Sequence, residues 1–140
     1  MTDDVSQGWV WLGGLKLPHR SVVKLRAADT GKSVYCEVLS IDDNFIDNYN
    51  DPDAKRFKIK DKNQSVLVAA EWYRTRLGIE KTGDEVDIEV ITDIPFRGLW
   101  AALDHPQVVV RIATKLGIWS VILAAAALCF AVAPFFKKCP

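Results

Sequence analysis

The cysteines and histidines are the side chains in this sequence that most readily do chemistry, because thiolates and imidazoles serve as nucleophiles, general bases and metal ligands. Cys36, Cys129 and Cys139 are scattered, and the sequence holds no CxxC pair and no Cys–His cluster that would bind zinc. His19 and His105 each adjoin a proline, far from any nucleophile setting. The sequence therefore predicts no catalytic residue, no metal and no cofactor, and we do not expect an enzyme. A membrane-tethered enzyme that uses an activated Cys36–histidine pair is the alternative.

Two further stretches approach ligand-binding motifs without completing them. The triplet at residues 31–33, Gly-Lys-Ser, ends like a phosphate-binding loop, but the glycine that the motif needs five residues before its last glycine is Arg26. Residues 42–53 hold five carboxylates but lack the central glycine and alternating ligands of a calcium loop. We interpret the triplet as part of a hairpin turn. The acidic run is predicted to be a solvated loop, with a basic partner or a loosely held cation as the alternative.

The densest basic stretch spans residues 55–62. Its alternation predicts a strand at residues 56–60 with basic side chains on one face and apolar side chains on the other. Such a face could contact an anionic partner, and lipid headgroups are favoured if the chain is tethered to a membrane. A solvated strand face whose lysines prevent edge pairing is the alternative. The possible anionic-partner patch consists of Arg56, Lys58, Lys60 and Lys62.

The part of the chain that sets it apart is a run of about 21 uncharged residues at 116–136, in a protein of 140 residues with 18 basic and 18 acidic side chains. A helix needs about 20 apolar residues to cross the hydrocarbon core of a bilayer. A buried core helix is disfavoured because the run is apolar on every face. The sequence thus predicts a single transmembrane helix. Basic residues that can contact lipid headgroups flank it: Arg111, Lys115, Lys137 and Lys138.

The position of the run predicts a tail anchor, followed by a short basic tail at residues 137–140. The first residues, MTDDVSQGW, are acidic and lack the basic and apolar regions of a signal peptide. We therefore expect the N-terminal domain to lie in the cytoplasm. Two basic residues flank each end of the span, so the positive-inside rule does not set its orientation.

A seam of small residues runs along the same segment at alternating spacings of four and three. In lipid, small side chains let helix backbones approach closely, so such a seam favours self-association and a homo-oligomer. A 3.5-residue repeat favours a left-handed supercoil. The alternative is a chance pattern in an alanine-rich anchor. The seam consists of Ala113, Gly117, Ser120, Ala124, Ala127 and Ala131.

The remaining residues, 1–93, are predicted to form a small, mainly β, barrel-like domain with one short helix at residues 71–77. Short alternating runs separated by turn residues predict its strands. The runs are residues 9–12 and 15–17 around a Gly-Gly turn, 22–27, 33–41, 56–60, a strand starting at 66, and 85–91.

Residues 94–105 are predicted to be a linker to the span. A helix is predicted at residues 106–136, and Asp104-His105-Pro106 is the signal for its start. Four apolar side chains in this linker recur at helical spacing. They predict an amphipathic juxtamembrane segment that lies on the bilayer. Docking of the segment on the barrel is the alternative. The four are Phe96, Leu99, Trp100 and Leu103.

Residues 66–90 contain Leu-Gly-Ile at 77–79 and Gly-Asp-Glu-Val at 83–86, after a short predicted strand and helix. This stretch resembles the hairpin module of AbrB-like and double-psi β-barrels, although one extra residue separates the two motifs. The resemblance implies a barrel held by glycine turns and implies no catalytic residue. AbrB-like proteins often bind DNA as dimers, but a membrane anchor disfavours a nucleic-acid partner.

Two functions remain open from the sequence. The first is a membrane-tethered, self-associating adaptor whose β domain binds a protein or small ligand of unknown identity. The second is a small membrane effector whose assembled spans perturb or open the bilayer, by analogy with bacterial conflict-system proteins that join a sensor domain to one span. The seam carries one hydroxyl, Ser120, and no ionisable group. Because conducting pores are usually lined by polar or charged rings, the seam favours association over conduction.

Overall fold

The structure, a computed structural model, describes residues 8–18, 20–50, 57–79 and 81–136, with side chains up to residue 133. These residues form a mixed five-stranded sheet, curled into a half-barrel, and four helices. In chain order the elements are β1 (Trp9–Leu12), β2 (Ser21–Ala27), β3 (Ser33–Ser40), α1 (Asp43–Tyr49), β4 (Leu67–Val68), α2 (Glu71–Leu77), β5 (Ile88–Ile91), α3 (Arg97–Leu103) and α4 (Val108–Phe136).

The sheet has the strand order β4-β1-β3-β2-β5. A hairpin joins β2 to β3, and its turn contains Gly31 with a positive φ of 66°, a conformation that glycine adopts without steric cost. The short strand β1 lies parallel to β3 but pairs only with Glu37 to Ser40. The first half of β3 therefore has no strand neighbour on that side among the described residues.

Alternate side chains of the central strands point to opposite faces of the sheet, which gives it a core face and an outer face. Val34, Cys36 and Val38 of β3 are buried on the core face. The helix α2 covers this face through Tyr73 and Leu77, which are both fully buried. The helix α3 packs on β2 and β3, and its Trp100 stacks on Tyr35, which points to the outer face.

The predicted mainly β architecture is not confirmed, because short helices are as prominent as the strands. The helix at residues 71–77 is confirmed as α2, and it ends at Gly78 in the left-handed conformation. The acidic run that was predicted to be a loop contains α1, whose N-cap carboxylate, Asp42, accepts a hydrogen bond of 2.7 Å from the backbone N–H of Phe45. An N-cap of this kind stabilises a short helix that, like α1, has no buried residue.

Two predicted strands are wrong. Residues 15–17 form no strand, because Gly13 and Gly14 donate backbone hydrogen bonds to the segment at residues 62–66 instead of closing a hairpin. A Cβ at Gly13 would lie 2.5 Å from a backbone oxygen of that segment, so glycine permits the close approach. Residues 57–60 are also not a strand.

The two strands of the segment that resembles the AbrB-like module do not pair with each other. β4 and β5 lie at opposite edges of the sheet, paired with β1 and β2 respectively. The order strand, short helix, left-handed glycine and strand is present, but the two strands do not form a hairpin.

The C-terminal helix α4 is 29 residues long and begins at Val108, two residues after the predicted start. Within it, Val108–Ala133 has a mean hydropathy of 2.4 in its most apolar window, and none of that window is buried. The helix is therefore long and apolar enough to cross a membrane. A core helix of a soluble domain would be mostly buried.

The core predicts a clear difference between two leucines. Leu25 is fully buried and Leu15 is 45% exposed. Leu25→Ala should lower the free energy of unfolding by about 2–5 kcal/mol, since it leaves a cavity. Leu15→Ala should change it by about 0.5 kcal/mol or less. Urea unfolding of the full-length protein in a mild detergent, followed by tryptophan fluorescence, measures both; equal losses would place Leu25 outside the cooperative core.

Candidate functional site at the base of the long helix

The carboxylate of Asp104 fills the gap that the short strand β1 leaves beside β3. It accepts a hydrogen bond of 3.1 Å from the backbone N–H of Tyr35 and one of 2.8 Å from the guanidinium of Arg76. The backbone carbonyl of Asp104 accepts a further hydrogen bond of 3.3 Å from the indole N–H of Trp72. One residue between α3 and α4 thus contacts both the sheet and α2.

Trp72 links α2 to the first turn of α4. The guanidinium of Arg111 lies 4.5 Å from the centroid of the Trp72 ring, and that of Arg76 lies 5.7 Å from it. Cations over an indole ring are attracted by the negative charge density of its face. We call the set Trp72, Arg76, Asp104 and Arg111 the junction, since it joins the domain to the base of α4.

His105 lies beside the junction, in surroundings that favour its neutral form. Its ring nitrogen Nδ1 accepts a hydrogen bond of 3.1 Å from the backbone N–H of Gln107, and the ring lies against Gly8. Burial lowers the pKa of His105 below its ordinary value of 6.5, and the positive charge of Arg111 lowers it further. The fold therefore favours the uncharged imidazole.

Cys36 and Tyr73 lie in the core. Burial is the main cause that raises the pKa of the Cys36 thiol, and the negative charge of Asp104 raises it further. Burial likewise raises the pKa of the Tyr73 hydroxyl. A thiol held in its neutral form is a poor nucleophile, so this environment does not activate Cys36.

The juxtamembrane side chains predicted from the sequence divide between the domain and the solvent. Leu103 is half-buried, and Trp100 stacks on Tyr35 with ring centroids 5.8 Å apart while 43% of the residue stays exposed. Leu99 is 41% exposed and Phe96 is 80% exposed. One side of α3 therefore docks on the sheet and the other faces away from it, and contact of the exposed side chains with a bilayer stays a prediction.

The described part of the chain contains three of the four basic residues of the possible anionic-partner patch. Lys58 and Lys60 are exposed on either side of Ile59, which is buried. Lys62 pairs with Asp43 of α1 at 2.9 Å, so its charge is partly neutralised. Arg56 lies outside the described residues. Contact of this stretch with an anionic partner stays a prediction.

All six small residues of the seam are exposed within the single chain, and none packs on the domain core. A Cβ at Gly117 would meet nothing within 4 Å, and the hydroxyl of Ser120 donates a 3.0 Å hydrogen bond to the carbonyl of Leu116 one turn earlier. Lys115 is exposed and available to headgroups, whereas Arg111 is directed at Trp72. Lys137 and Lys138 lie outside the described residues.

The sequence analysis missed the junction. It interpreted Asp104 as the start of the last helix, whereas the residue is the C-cap of α3. The spacing of Trp72 and Arg76 by four residues places them on one face of a helix. That spacing was the available signal, but the partner of this face is about 30 residues away along the chain.

A scan against protein-family models finds no family that matches the chain, and searches among curated proteins and among solved structures find no match. Within the described residues, no group of three or more His, Cys, Asp or Glu side chains is placed to hold a metal ion.

The junction predicts that Asp104 stabilises the fold more than an exposed ion pair does. Asp104→Ala removes the acceptor for the Tyr35 N–H and for Arg76, and should cost about 1–3 kcal/mol of unfolding free energy. Glu89→Ala is the matched control, because the Arg26–Glu89 pair is 3.8 Å long and more than half exposed. The control should cost about 0.5 kcal/mol or less. Urea unfolding in detergent compares them, and similar losses would contradict the role given to Asp104.

The lowered pKa of His105 predicts that the stability of the fold depends on pH. Its pKa is lower in the folded protein than in the unfolded chain, so the unfolded chain binds the proton first as the pH falls. Its contribution to stability is complete above the ordinary pKa of 6.5 and is lost as the pH falls through the lowered folded-state pKa. Unfolding midpoints at pH values of about 7.5 and 5.5 should therefore differ more for the native protein than for His105→Gln. Identical differences would show that His105 does not titrate in this way.

Proposed function

We propose that the protein is a membrane-tethered, self-associating adaptor, in which α4 crosses the bilayer and holds the domain at the membrane surface. The observation that carries this proposal is the contrast along α4. Its base is fastened to the domain through the junction, whereas the apolar helix beyond it is exposed to its end among the described side chains. An exposed apolar helix of this length is stable in lipid and unfavourable in water.

The junction supports a rigid connection in place of a flexible tether. Arg111 lies about five residues before the uncharged run, which is about 7.5 Å along a helix axis. The interfacial layer on each side of a bilayer is about 5–8 Å thick. The Arg111–Trp72 contact would then lie at the outer edge of this layer, and the domain would rest directly on the membrane.

The seam supports self-association of the tethered domains. Its six members recur on one side of α4, and the exposed side chains leave this side open to a second helix. Association through small residues gains van der Waals contact and requires no polar group. Bringing several domains together on a membrane is how a non-catalytic adaptor can raise the local concentration of what it binds.

The seam predicts that bulky residues on it dissociate the protein. Gly117→Leu combined with Ala124→Leu should reduce a defined oligomer to the monomer, because the longer side chains prevent close helix approach. Ala126→Leu combined with Ala133→Leu is the matched control, since these positions have the same seven-residue spacing on the opposite side of the helix. Molecular mass in a mild detergent, by light scattering after chromatography, distinguishes the variants.

Three results would change the proposal. A monomeric native protein would remove self-association and leave a plain anchor. Dissociation by both double variants would mean that the interface is not the seam. If the oligomer also releases a dye from liposomes, and the seam variant does not, the protein is a membrane effector and not an adaptor.

A further inference from the structure

We infer that α3 is a second membrane-contacting element, which inserts Phe96 and Leu99 into the interfacial layer of the leaflet that α4 enters. This inference deepens the proposed function, because it requires α4 to be in the membrane. It adds that the domain is held in one orientation, by two contacts with the bilayer instead of one.

The helix α3 lies beside the base of the span. α3 packs against α4, and Val108, Val109 and Ile112 in the first turns of α4 are between 52% and 78% exposed. Phe96 and Leu99 are also exposed, on the helix that packs against these turns. A surface that adjoins a transmembrane helix at the level of the headgroups contacts lipid without any further movement.

Phe96 has an unusual backbone conformation. It is the N-cap of α3, with φ at 54° in the left-handed region, which is strained for a residue with a large side chain. It is also 80% exposed, the highest value among the large apolar residues that the structure describes in the domain. A glycine or asparagine would relieve the strain and avoid the exposure. The phenylalanine gains from this position when its ring is in contact with lipid.

The charged and aromatic side chains on and near α3 also favour contact with lipid. Arg97 follows Phe96 and is exposed, and Lys115 is exposed on the neighbouring turns of α4. Trp100, which stacks on Tyr35, keeps 43% of its surface exposed on the same short helix. Aromatic side chains beside arginine and lysine are typical of segments that lie at the membrane–water interface. A protein-binding surface of the same size would not need to adjoin the span.

The test places an environment-sensitive fluorophore on single cysteines of the full-length protein. The two reporter variants are Phe96→Cys and Leu99→Cys, of which the second leaves the strained residue unchanged. Phe57→Cys is the matched control, because Phe57 is 50% exposed and lies outside α3 and α4. It belongs to the loop in which the Ile59 N–H donates a hydrogen bond to Asn50, the C-cap of α1. In all three variants Cys129 and Cys139 are replaced by serine. Cys36 is buried and protected from the label.

A fourth sample reports on the span itself. It keeps the native Cys129, which is exposed on α4, and replaces only Cys139. All samples are placed in phosphatidylcholine nanodiscs at one copy per disc, with lipids that carry a quencher either near the headgroup or deep in the acyl chain. The expected result is a blue-shifted label at 96 and 99 that the shallow quencher reaches, a water-like label at 57, and a label at 129 that the deep quencher reaches.

The other outcomes separate the inference from the proposed function. If the labels at 96 and 99 behave like the label at 57 while that at 129 is quenched, α3 does not contact lipid and the tether remains. An unquenched label at 129 would overturn both. The measurement is repeated at two copies per disc. Protection at 96 and 99 that appears only then, and that neither lipid quencher affects, would assign this surface to a second copy and overturn the lipid contact.

Discussion

The carboxylate of Asp104 is the contact on which the arrangement of the helices depends. A strand that lacks a neighbour leaves backbone N–H groups without partners. A buried N–H group that has no acceptor destabilises the fold. Because β1 covers only the second half of β3, the Tyr35 N–H needs another acceptor, and Asp104 supplies it. The same carboxylate pairs with Arg76, so the gap in the sheet determines where α2, α3 and α4 meet.

The contacts of Asp104 connect helices that lie on opposite faces of the sheet. α3 packs on the outer face, where Trp100 stacks on Tyr35, and α2 packs on the core face through Tyr73 and Leu77. Asp104 lies between them and is immediately followed by the base of α4. The long helix is therefore anchored to both layers of the domain, which would transmit its orientation to the whole sheet.

Trp72 has two roles at this point. Its indole N–H donates to the Asp104 carbonyl, and its ring face lies near the guanidinium groups of Arg76 and Arg111. Large aromatic rings can make an apolar contact and a polar one at the same time, which suits a boundary between a protein and a membrane surface. If α4 spans the bilayer, Arg111 serves the domain, and Lys115, one turn further along, is the residue left to contact headgroups.

Features that depend on neighbouring residues could be predicted from the sequence alone. Hydropathy predicted the long helix, and alternation predicted β2 and β3. The short helix before Gly78 was predicted because a left-handed glycine ends a helix locally. These features need no knowledge of distant residues, since the physical signal repeats within a few positions of the chain.

Features that depend on partners far away along the chain could not be predicted in this way. Alternation predicted a strand at residues 56–60, but residues 57–60 join no sheet edge. The first part of the acidic run at residues 42–53 forms α1, which Asp42 caps. Gly13 and Gly14 permit a close approach to residues 62–66 and do not close a hairpin. The junction joins residues 72, 76, 104 and 111 and contacts the backbone of residue 35. No local pattern encodes contacts of that separation, because they follow from how the strands are ordered in the sheet.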